Sequence, residues 1–176
     1  MTATAGKKPD PFLLKWGMRR FTFFLLLLLS VSVGSAEPVI VIVRHAEKAA
    51  NGGTDPDLSP AGRSRADALA RILKDSGIVA IYTSEFKRTQ ETAAPIAKLL
   101  RLSPTVLPAK DTTALVAKLH ELNGNALVVG HGDTIPNLLK ALGIDAVIGI
   151  PESDYTELFL VTLGEKPQFI RLHYSF

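Results

Sequence analysis

The sequence predicts an α/β fold, a three-layer sandwich with a mainly parallel central sheet and helices on both of its faces. Short apolar runs rich in β-branched residues alternate along the chain with longer segments whose apolar residues recur at helical spacing. The first run, residues 39–43, is apolar at every position, as expected of a strand buried on both faces of a parallel sheet. Neither a repeat nor a long linker divides the sequence after residue 36.

Capping and stop residues predict where the helices begin and end. Ser59 and Pro60 open the first helix, because serine is a preferred N-cap and proline suits the first helical position. The helix continues to residue 73, and Gly77 follows it as a stop. The same patterns predict three further helices, at residues 86–100, 112–122 and 135–142.

The remaining apolar runs predict the other strands of the sheet. Two closing strands flank the Gly-Glu-Lys-Pro turn at residues 164–167. The predicted strands after the first are at residues 78–82, 105–107 (at an edge of the sheet), 126–129, 158–163 and 168–174.

Residues 1–36 have the sequence pattern of a signal peptide for export. Arg19 and Arg20 precede an apolar run at residues 21–33, and small residues follow it up to Ala36, which is the order of a secretory signal peptide. The run is shorter than the roughly 20 residues that span a membrane, although an uncleaved anchor stays an alternative. Translation starting at Met18 would also give a compact signal peptide. We therefore expect residues 37–176 to form the mature domain, periplasmic or extracellular and away from the membrane.

The charge and the absence of cysteine exclude several classes of function. The net charge is +3, from 20 basic and 17 acidic residues. Residues 1–36 hold five of the basic and one of the acidic residues, so residues 37–176 carry 15 and 16, a net charge of −1. This balance does not predict a nucleic-acid surface. The chain has no cysteine, which excludes disulfides, cysteine–zinc sites and cysteine nucleophiles.

Cationic side chains follow three of the predicted strands. Arg44 and His45 come after the first strand, Arg88 lies early in the helix after the second, and His131 stands between two glycines after the third buried strand. In open α/β sheets ligands bind beyond the carboxyl ends of the strands, so we expect these four side chains to converge. A cation early in a helix opposes the macrodipole unless an anion is present, and backbone N–H groups left free there would bind phosphate.

These residue types suit phosphoryl transfer. Arginine forks bind phosphoryl oxygens, a neutral imidazole can attack phosphorus, and a protonated second imidazole can stabilise the charge that develops. Because the protein supplies the cations, we expect neither a metal nor a cofactor. The expected partner is a small phosphorylated substrate, and the oligomeric state is left open.

Four motifs in order resemble those of the histidine phosphatase (phosphoglycerate mutase-like) superfamily, as in a small exported bacterial member. The resemblance extends from about residue 39 to the C-terminus. The matching segments are Arg-His-Ala-Glu at 44–47, Leu-Ser-Pro-Ala-Gly at 58–62, Tyr-Thr-Ser at 82–84 followed by Arg-Thr-Gln-Glu-Thr-Ala at 88–93, and Val-Gly-His-Gly at 129–132.

The resemblance implies roles for individual residues. His45 would be the residue that is phosphorylated, and Arg44, Arg88 and His131 would form the phosphate pocket. Asn51 would be a further phosphate contact. Two features depart from the family pattern. An alanine at residue 46 replaces the usual glycine, and the acidic residue that many members place downstream of the second arginine has no clear counterpart.

The general acid is therefore an open question in the sequence. Asp133 follows His131 by two residues and would lie near the rim of the pocket, where it could donate a proton to the leaving group. Its alternative role is N-cap of the helix that begins near residue 135. Asp111 and Glu85 are weaker candidates for the acid.

Other polar residues are expected to be structural. His120 and His173 lie in a helix and a strand without a setting for catalysis. Glu47 and Lys48 are interpreted as an ion pair within a loop. The Asp-Tyr pair at residues 154–155 is interpreted as a turn before the next strand, with a place at the border of the pocket as an alternative.

The leading functional hypothesis is a metal-independent phosphatase that hydrolyses a phosphomonoester, or a similar phosphorylated small molecule, through a phosphohistidine intermediate. A phosphohistidine-protein phosphatase is the alternative within the same superfamily. An inactive envelope binding module with the same fold is the alternative from another class, and the intact Arg44, His45, Arg88 and His131 argue against it.

Overall fold

A computed structural model describes residues 37–50 and 53–175, together with Thr2 and Gly6. The chain divides into two units, Met1–Ala36 and Glu37–Phe176, and all the elements below belong to the second unit. Apart from Thr2 and Gly6, the predicted signal segment lies outside the described residues, so its export and cleavage stay predictions.

Six strands and four helices alternate in the described residues, as the sequence predicted. The strands are β1 (Val39–Arg44), β2 (Ile78–Thr83), β3 (Thr105–Val106), β4 (Asn125–Gly130), β5 (Glu157–Thr162) and β6 (Gln168–His173). The helices are α1 (Pro60–Leu73), α2 (Lys87–Leu100), α3 (Thr112–His120) and α4 (Ile135–Ala141).

The strands form one sheet in the order β3-β2-β4-β1-β5-β6. The pairs β2–β3, β2–β4 and β1–β4 are parallel, whereas β5 is antiparallel to both β1 and β6. Of the described strands, β5 is thus the one that runs against the others. The predicted mainly parallel sheet is confirmed, and the short β3 lies at an edge as expected.

The two faces of β1 are buried against different helices. Ile40 and Ile42 belong to a core with side chains of α3 and α4, whereas Val41 and Val43 belong to a core with side chains of α1 and α2. The fully apolar sequence of this strand is explained by burial on both faces. The three-layer sandwich is confirmed.

The first predicted helix start is confirmed in detail. Ser59 is the N-cap of α1, and its hydroxyl accepts a hydrogen bond from the amide of Gly62 at 3.0 Å.

None of the described helices is long and apolar enough to cross a membrane.

Candidate active site

The register of the sheet brings the predicted site residues to one edge. Arg44 pairs with Gly130, and the amide of His45 donates to the carbonyl of Gly130 at 2.9 Å. Thr83, at the end of β2, pairs with Val129. The residues that follow these three parallel strands therefore meet beyond their carboxyl ends, as the sequence predicted.

His45 is buried, with 4% of its surface exposed. Its Nδ1 lies 2.8 Å from the carbonyl oxygen of Ala46. A carbonyl only accepts, so Nδ1 carries the proton and Nε2 keeps its lone pair. Burial, more than the neighbouring cations, lowers the pKa of His45 from 6.5 to about 4. The ring is therefore neutral near pH 7, which is the state a nucleophile needs.

His131 lies next to His45, with the two ring centroids 5.3 Å apart and the ring planes at 62° to each other. Its Nε2 lies 2.9 Å from the hydroxyl of Ser84, and its Nδ1 lies 3.4 Å from Nη2 of Arg88. Burial, together with the Arg88 charge, lowers the pKa of His131 to about 4. Without a bound anion, both histidines of the pair are thus neutral at pH 7.

Arg44 is held by the segment before β5. Its Nη1 donates to the carbonyls of Pro151, Glu152 and Asp154 at 2.8, 2.9 and 3.1 Å. The guanidinium lies 4.4 Å from the ring centre of Tyr155. The buried Nε finds no hydrogen-bond partner among the described residues. A buried donor without a partner is unusual, and it indicates an anion site on this side of the guanidinium.

Tyr155 also borders the pocket, because its ring centre lies 6.0 Å from that of His45. Residues 154–155 also follow a turn closed by the hydrogen bond from the Asp154 amide to the Pro151 carbonyl, just before β5. The pair therefore belongs both to the turn region before the strand and to the border of the pocket. Phe86 has the matching position on the other side. Its ring contacts His131 at a centroid distance of 5.3 Å and lies 4.3 Å from the Arg88 guanidinium. Each histidine and arginine pair is therefore flanked by one aromatic ring.

Arg88 is the second residue of α2, as the sequence predicted. The expectation of free backbone amides beside it is wrong for Lys87, whose N–H donates to the carboxylate of Asp55 at 3.1 Å. The same carboxylate lies 3.5 Å from Nη1 of Arg88. Asp55 supplies the anion that a cation at a helix N-terminus requires.

The loop after His45 is anchored to both helices on its face of the sheet. The amide of Ala46 donates to the hydroxyl of Thr92 in α2 at 2.9 Å. Glu47 pairs with Arg65 of α1 at 2.7 Å, so the expected pairing with Lys48 is wrong. Lys48 instead forms a backbone bridge with Leu58.

The candidate general acids differ in their contacts. The predicted capping role of Asp133 is wrong, because Thr134 is the N-cap of α4 and makes no side-chain capping bond. The amides of Thr134 and Ile135 already bond to the carbonyl of His131, at 3.2 and 3.0 Å, so the helix begins without a side-chain acceptor. Asp133 is exposed, and its charge acts to raise the pKa of His131.

Asp111 and Glu85 both have structural partners. Asp111 is the N-cap of α3 and accepts from the amide of Ala114 at 2.9 Å, and Glu85 accepts from the amide of Ala109 at 2.7 Å. Asn51 lies outside the described residues, so its role stays a prediction.

The structure adds residues that the sequence interpretation missed. Arg65 is buried on the inner face of α1, one turn from Leu69, and a charge at that spacing signals a buried partner. Ser84 and Thr89 hold His131, but their hydroxyls carry no pattern that distinguishes them from ordinary turn residues. His120 and His173 are exposed and lie away from these contacts. The described part of the chain contains no cluster of three His, Asp or Glu side chains able to hold a metal ion.

Comparison with curated proteins places this site in context. The chain is 41% identical over 69 residues to phosphoserine phosphatase 1 of Hydrogenobacter thermophilus, covering 36% of this chain and 33% of that protein. It is 38% identical over 88 residues to the metal-independent phosphoserine phosphatase of Arabidopsis thaliana, covering 46% and 37%. The curated relatives that it matches align over only 14% to 37% of their own length.

Solved structures share the fold over most of the chain. The protein histidine phosphatase SixA complexed with tungstate superposes with a TM-score of 0.65 and 22% identity, covering 77% of this chain and 96% of that one. Residues 40–112, which include three of the four motifs, match the family model described as histidine phosphatase superfamily (branch 1). The sheet topology and the paired Arg-His site agree with this match, which confirms the resemblance to the histidine phosphatase superfamily over residues 40–112.

Proposed function

We propose that this protein is a phosphatase in which Nε2 of His45 attacks the phosphorus of a small phosphorylated substrate. The hydrogen bond from Nδ1 of His45 to the Ala46 carbonyl is the observation that carries the proposal. It directs the lone pair of the buried, neutral ring away from the backbone, and it also fixes the plane of the ring.

The neighbouring cations suit a phosphoryl group. Arg44 has a buried Nε without a partner, and Arg88 lies beside His131. Their guanidinium groups donate in fixed directions to the three non-bridging oxygens, whose charge increases as His45 attacks. Because these cations come from the protein, we expect turnover without a metal ion. The name of the Arabidopsis relative, a metal-independent phosphatase, supports this expectation.

The proposed reaction has two steps. In the first step the N–P bond to His45 forms, the P–O bond to the leaving group breaks, and the leaving oxygen takes up a proton. In the second step water attacks the phosphohistidine and gives one proton to the group that protonated the leaving oxygen, while the N–P bond breaks. Inorganic phosphate is then released with His45 neutral again.

A small phosphomonoester is the substrate class that we favour. The two curated relatives named above are both phosphoserine phosphatases, although this chain aligns with only about a third of each. We propose in addition that residues 1–36 are a signal peptide and that the mature chain begins at Glu37. N-terminal sequencing of the native protein tests that boundary, and a retained N-terminus would indicate an anchor instead.

Trapping the intermediate tests the proposed function. Protein mixed with labelled p-nitrophenyl phosphate and quenched in alkali should carry phosphate that acid releases, with and without a chelator. His45→Ala should carry none and should lose turnover. The matched control is His120→Ala, an exposed histidine outside the site, which should behave as the unaltered protein does. Acid-labile phosphate on His45→Ala would overturn the assignment of the nucleophile.

A further inference from the structure

The contacts of His131 determine which of its nitrogens carries the proton. Nδ1 lies 3.4 Å from Nη2 of Arg88. A guanidinium can only donate, so Nδ1 must hold a lone pair in this arrangement. The ring is neutral, and its proton is therefore on Nε2.

The Nε2–H group of His131 begins a series of hydrogen bonds that can run in only one direction. Nε2 of His131 lies 2.9 Å from Oγ of Ser84, which lies 2.9 Å from Oγ1 of Thr89. Oγ1 of Thr89 donates in turn to the carbonyl oxygen of Phe86 at 2.8 Å. Each hydroxyl has one hydrogen and the series ends on a carbonyl, so every donor points from His131 towards Phe86. Reversing any one bond would leave a lone pair facing a lone pair.

The hydroxyl groups in this series are buried, so water cannot replace a hydrogen bond that points the wrong way. Thr89 is 0% exposed and Ser84 is 4% exposed. The amide of Phe86 also donates to the Ser84 hydroxyl, at 3.3 Å, which confirms that this oxygen acts as an acceptor. With water excluded, a mismatched hydroxyl would stay unpaired, at a cost comparable to a lost hydrogen bond.

We propose that Ser84, oriented by Thr89, is a positioning residue that holds His131 as its Nε2–H tautomer and so presents Nδ1 to the phosphoryl group. His45 is held in the opposite tautomer by the Ala46 carbonyl. The two neighbouring rings therefore present different nitrogens to the pocket, Nε2 as nucleophile from His45 and Nδ1 from His131. The part of this inference that concerns the phosphoryl group rests on the proposed function, whereas the tautomer does not.

The arrangement has a consequence for substrate binding. Nδ1 of His131 carries no proton in the empty pocket, so it cannot donate to a phosphoryl oxygen until one arrives. A phosphate monoanion can bring that proton: the O–H bond of its P–OH group breaks, an N–H bond forms at Nδ1, and the site then holds a dianion beside an imidazolium. Arg88 and Arg44 oppose protonation of His131, whereas Asp133 and Glu85 favour it. The titratable ring that faces His131 is that of His45, which is neutral at pH 7.

Nitrogen NMR of the full chain, labelled with the heavy nitrogen isotope at histidine, tests the tautomer directly. Two-bond proton–nitrogen correlations distinguish the two neutral forms. At pH 7, without phosphate, His131 should show the Nε2–H pattern and His45 the Nδ1–H pattern. Ser84→Ala leaves only the longer contact with Arg88, at 3.4 Å, to favour the Nε2–H form, so His131 should become a mixture of the two tautomers. The His45 pattern should stay unchanged as an internal reference for folding. Thr89→Ser keeps the hydroxyl and should keep the Nε2–H form.

Kinetics and phosphate binding complete the test. Ser84→Ala should lower kcat/KM by about ten- to a hundredfold, by analogy with the loss when the hydrogen-bond partner that orients a metal-binding histidine is removed. Inorganic phosphate added to the unaltered protein should convert His131 to the doubly protonated form. An Nδ1–H pattern for His131 in the unaltered protein, or an unchanged tautomer in Ser84→Ala, would overturn the proposal. The expected tautomers in a protein that binds no phosphate would overturn the proposed function and leave the role of Ser84 in place.

Discussion

Arg65 and Glu47 form a two-pronged ion pair between α1 and the loop that follows His45. Nε of Arg65 donates to both carboxylate oxygens of Glu47 at 2.9 Å, and Nη2 donates to one of them at 2.7 Å. Although burial alone would raise it, these hydrogen bonds lower the pKa of Glu47. The pair fixes the backbone two residues after the proposed nucleophile, so the position of His45 depends on how α1 packs.

Gly62 allows this packing, and its replacement gives the first prediction. A methyl group on Gly62 would overlap the carbonyl oxygen of Glu47 and lie 3.0 Å from the Glu47 carbonyl carbon and nitrogen. Backbone atoms cannot move aside as a flexible side chain can, so α1 and the loop must separate. Gly62→Ala should lower the free energy of unfolding by about 1–3 kcal/mol and reduce kcat, as measured by urea unfolding and steady-state kinetics.

Gly149→Ala is the matched control, because a methyl group there meets no atom within 4 Å and the residue is exposed. It should change the free energy of unfolding by no more than about 0.5 kcal/mol. If Gly62→Ala were as stable and active as Gly149→Ala, the close approach of α1 to Glu47 would be wrong.

The sheet and the convergence of the four predicted site residues could be predicted because each depends on local sequence. The apolar runs, the Ser59 cap and the charges that follow the strands are all short-range signals. The partners of these residues could not be predicted, because they come from distant segments. Asp55 reaches the first amide of α2 across 32 residues, and the carbonyls that hold Arg44 lie more than 100 residues away.

The buried histidines make stability depend on pH, which is the second prediction. The pKa of both His45 and His131 is about 4 in the folded protein, against an ordinary value of 6.5. Between these values the unfolded chain binds more protons, so the free energy of unfolding should fall as the pH drops from about 6.5 to about 4. The loss should reach about 3 kcal/mol for each histidine.

Urea unfolding across this pH range, in a buffer without phosphate, measures the effect. His131→Asn should remove about half of the pH dependence, whereas His120→Asn, which removes an exposed histidine, should retain it. Added phosphate should reduce the dependence, because a bound anion favours the protonated form of His131. A free energy of unfolding that is constant between pH 4 and pH 6.5 would contradict the neutral state of the pair.

The third prediction compares two aspartates of one loop. Asp55 contacts the first amide of α2 and Arg88, and the N-cap residue Phe86 has no capping side chain. Among the residues that the structure describes, the Asp57 side chain contacts the exposed Nζ of Lys87 alone, at 3.2 Å. Asp55→Ala should therefore cost about 1 kcal/mol of unfolding free energy, by loss of a capping carboxylate, and should raise KM as Arg88 loses a partner.

Asp57→Ala should stay within about 0.5 kcal/mol of the unaltered protein, as expected for an exposed ion pair. Thermal or urea unfolding of the two variants side by side measures the difference. Equal losses would mean that the loop as a whole, and not the Asp55 carboxylate, stabilises the start of α2.

The fourth prediction concerns the proton given to the leaving group. Asp133 is exposed, it does not cap α4, and its charge acts on His131. These facts leave the carboxyl free to protonate the departing oxygen, whereas Asp111 is engaged as the cap of α3. Asp133→Asn should slow hydrolysis of an alkyl phosphate about a hundredfold, the lower end of the range for general acid catalysis. It should hardly change the rate with p-nitrophenyl phosphate, because nitrophenolate departs without a proton.

The comparison of substrates isolates the proton transfer from the rest of the pocket. A variant that disturbed His45 or the arginines would slow both substrates alike, since both need the nucleophile and the phosphoryl contacts. Unfolding free energy should change by less than about 0.5 kcal/mol, since no cap is lost. Asp111→Asn is the counterpart, because asparagine also caps helices well and both rates should persist. Equal slowing of both substrates by Asp133→Asn would assign the proton to another donor, and Glu85 would then be the next carboxyl to replace.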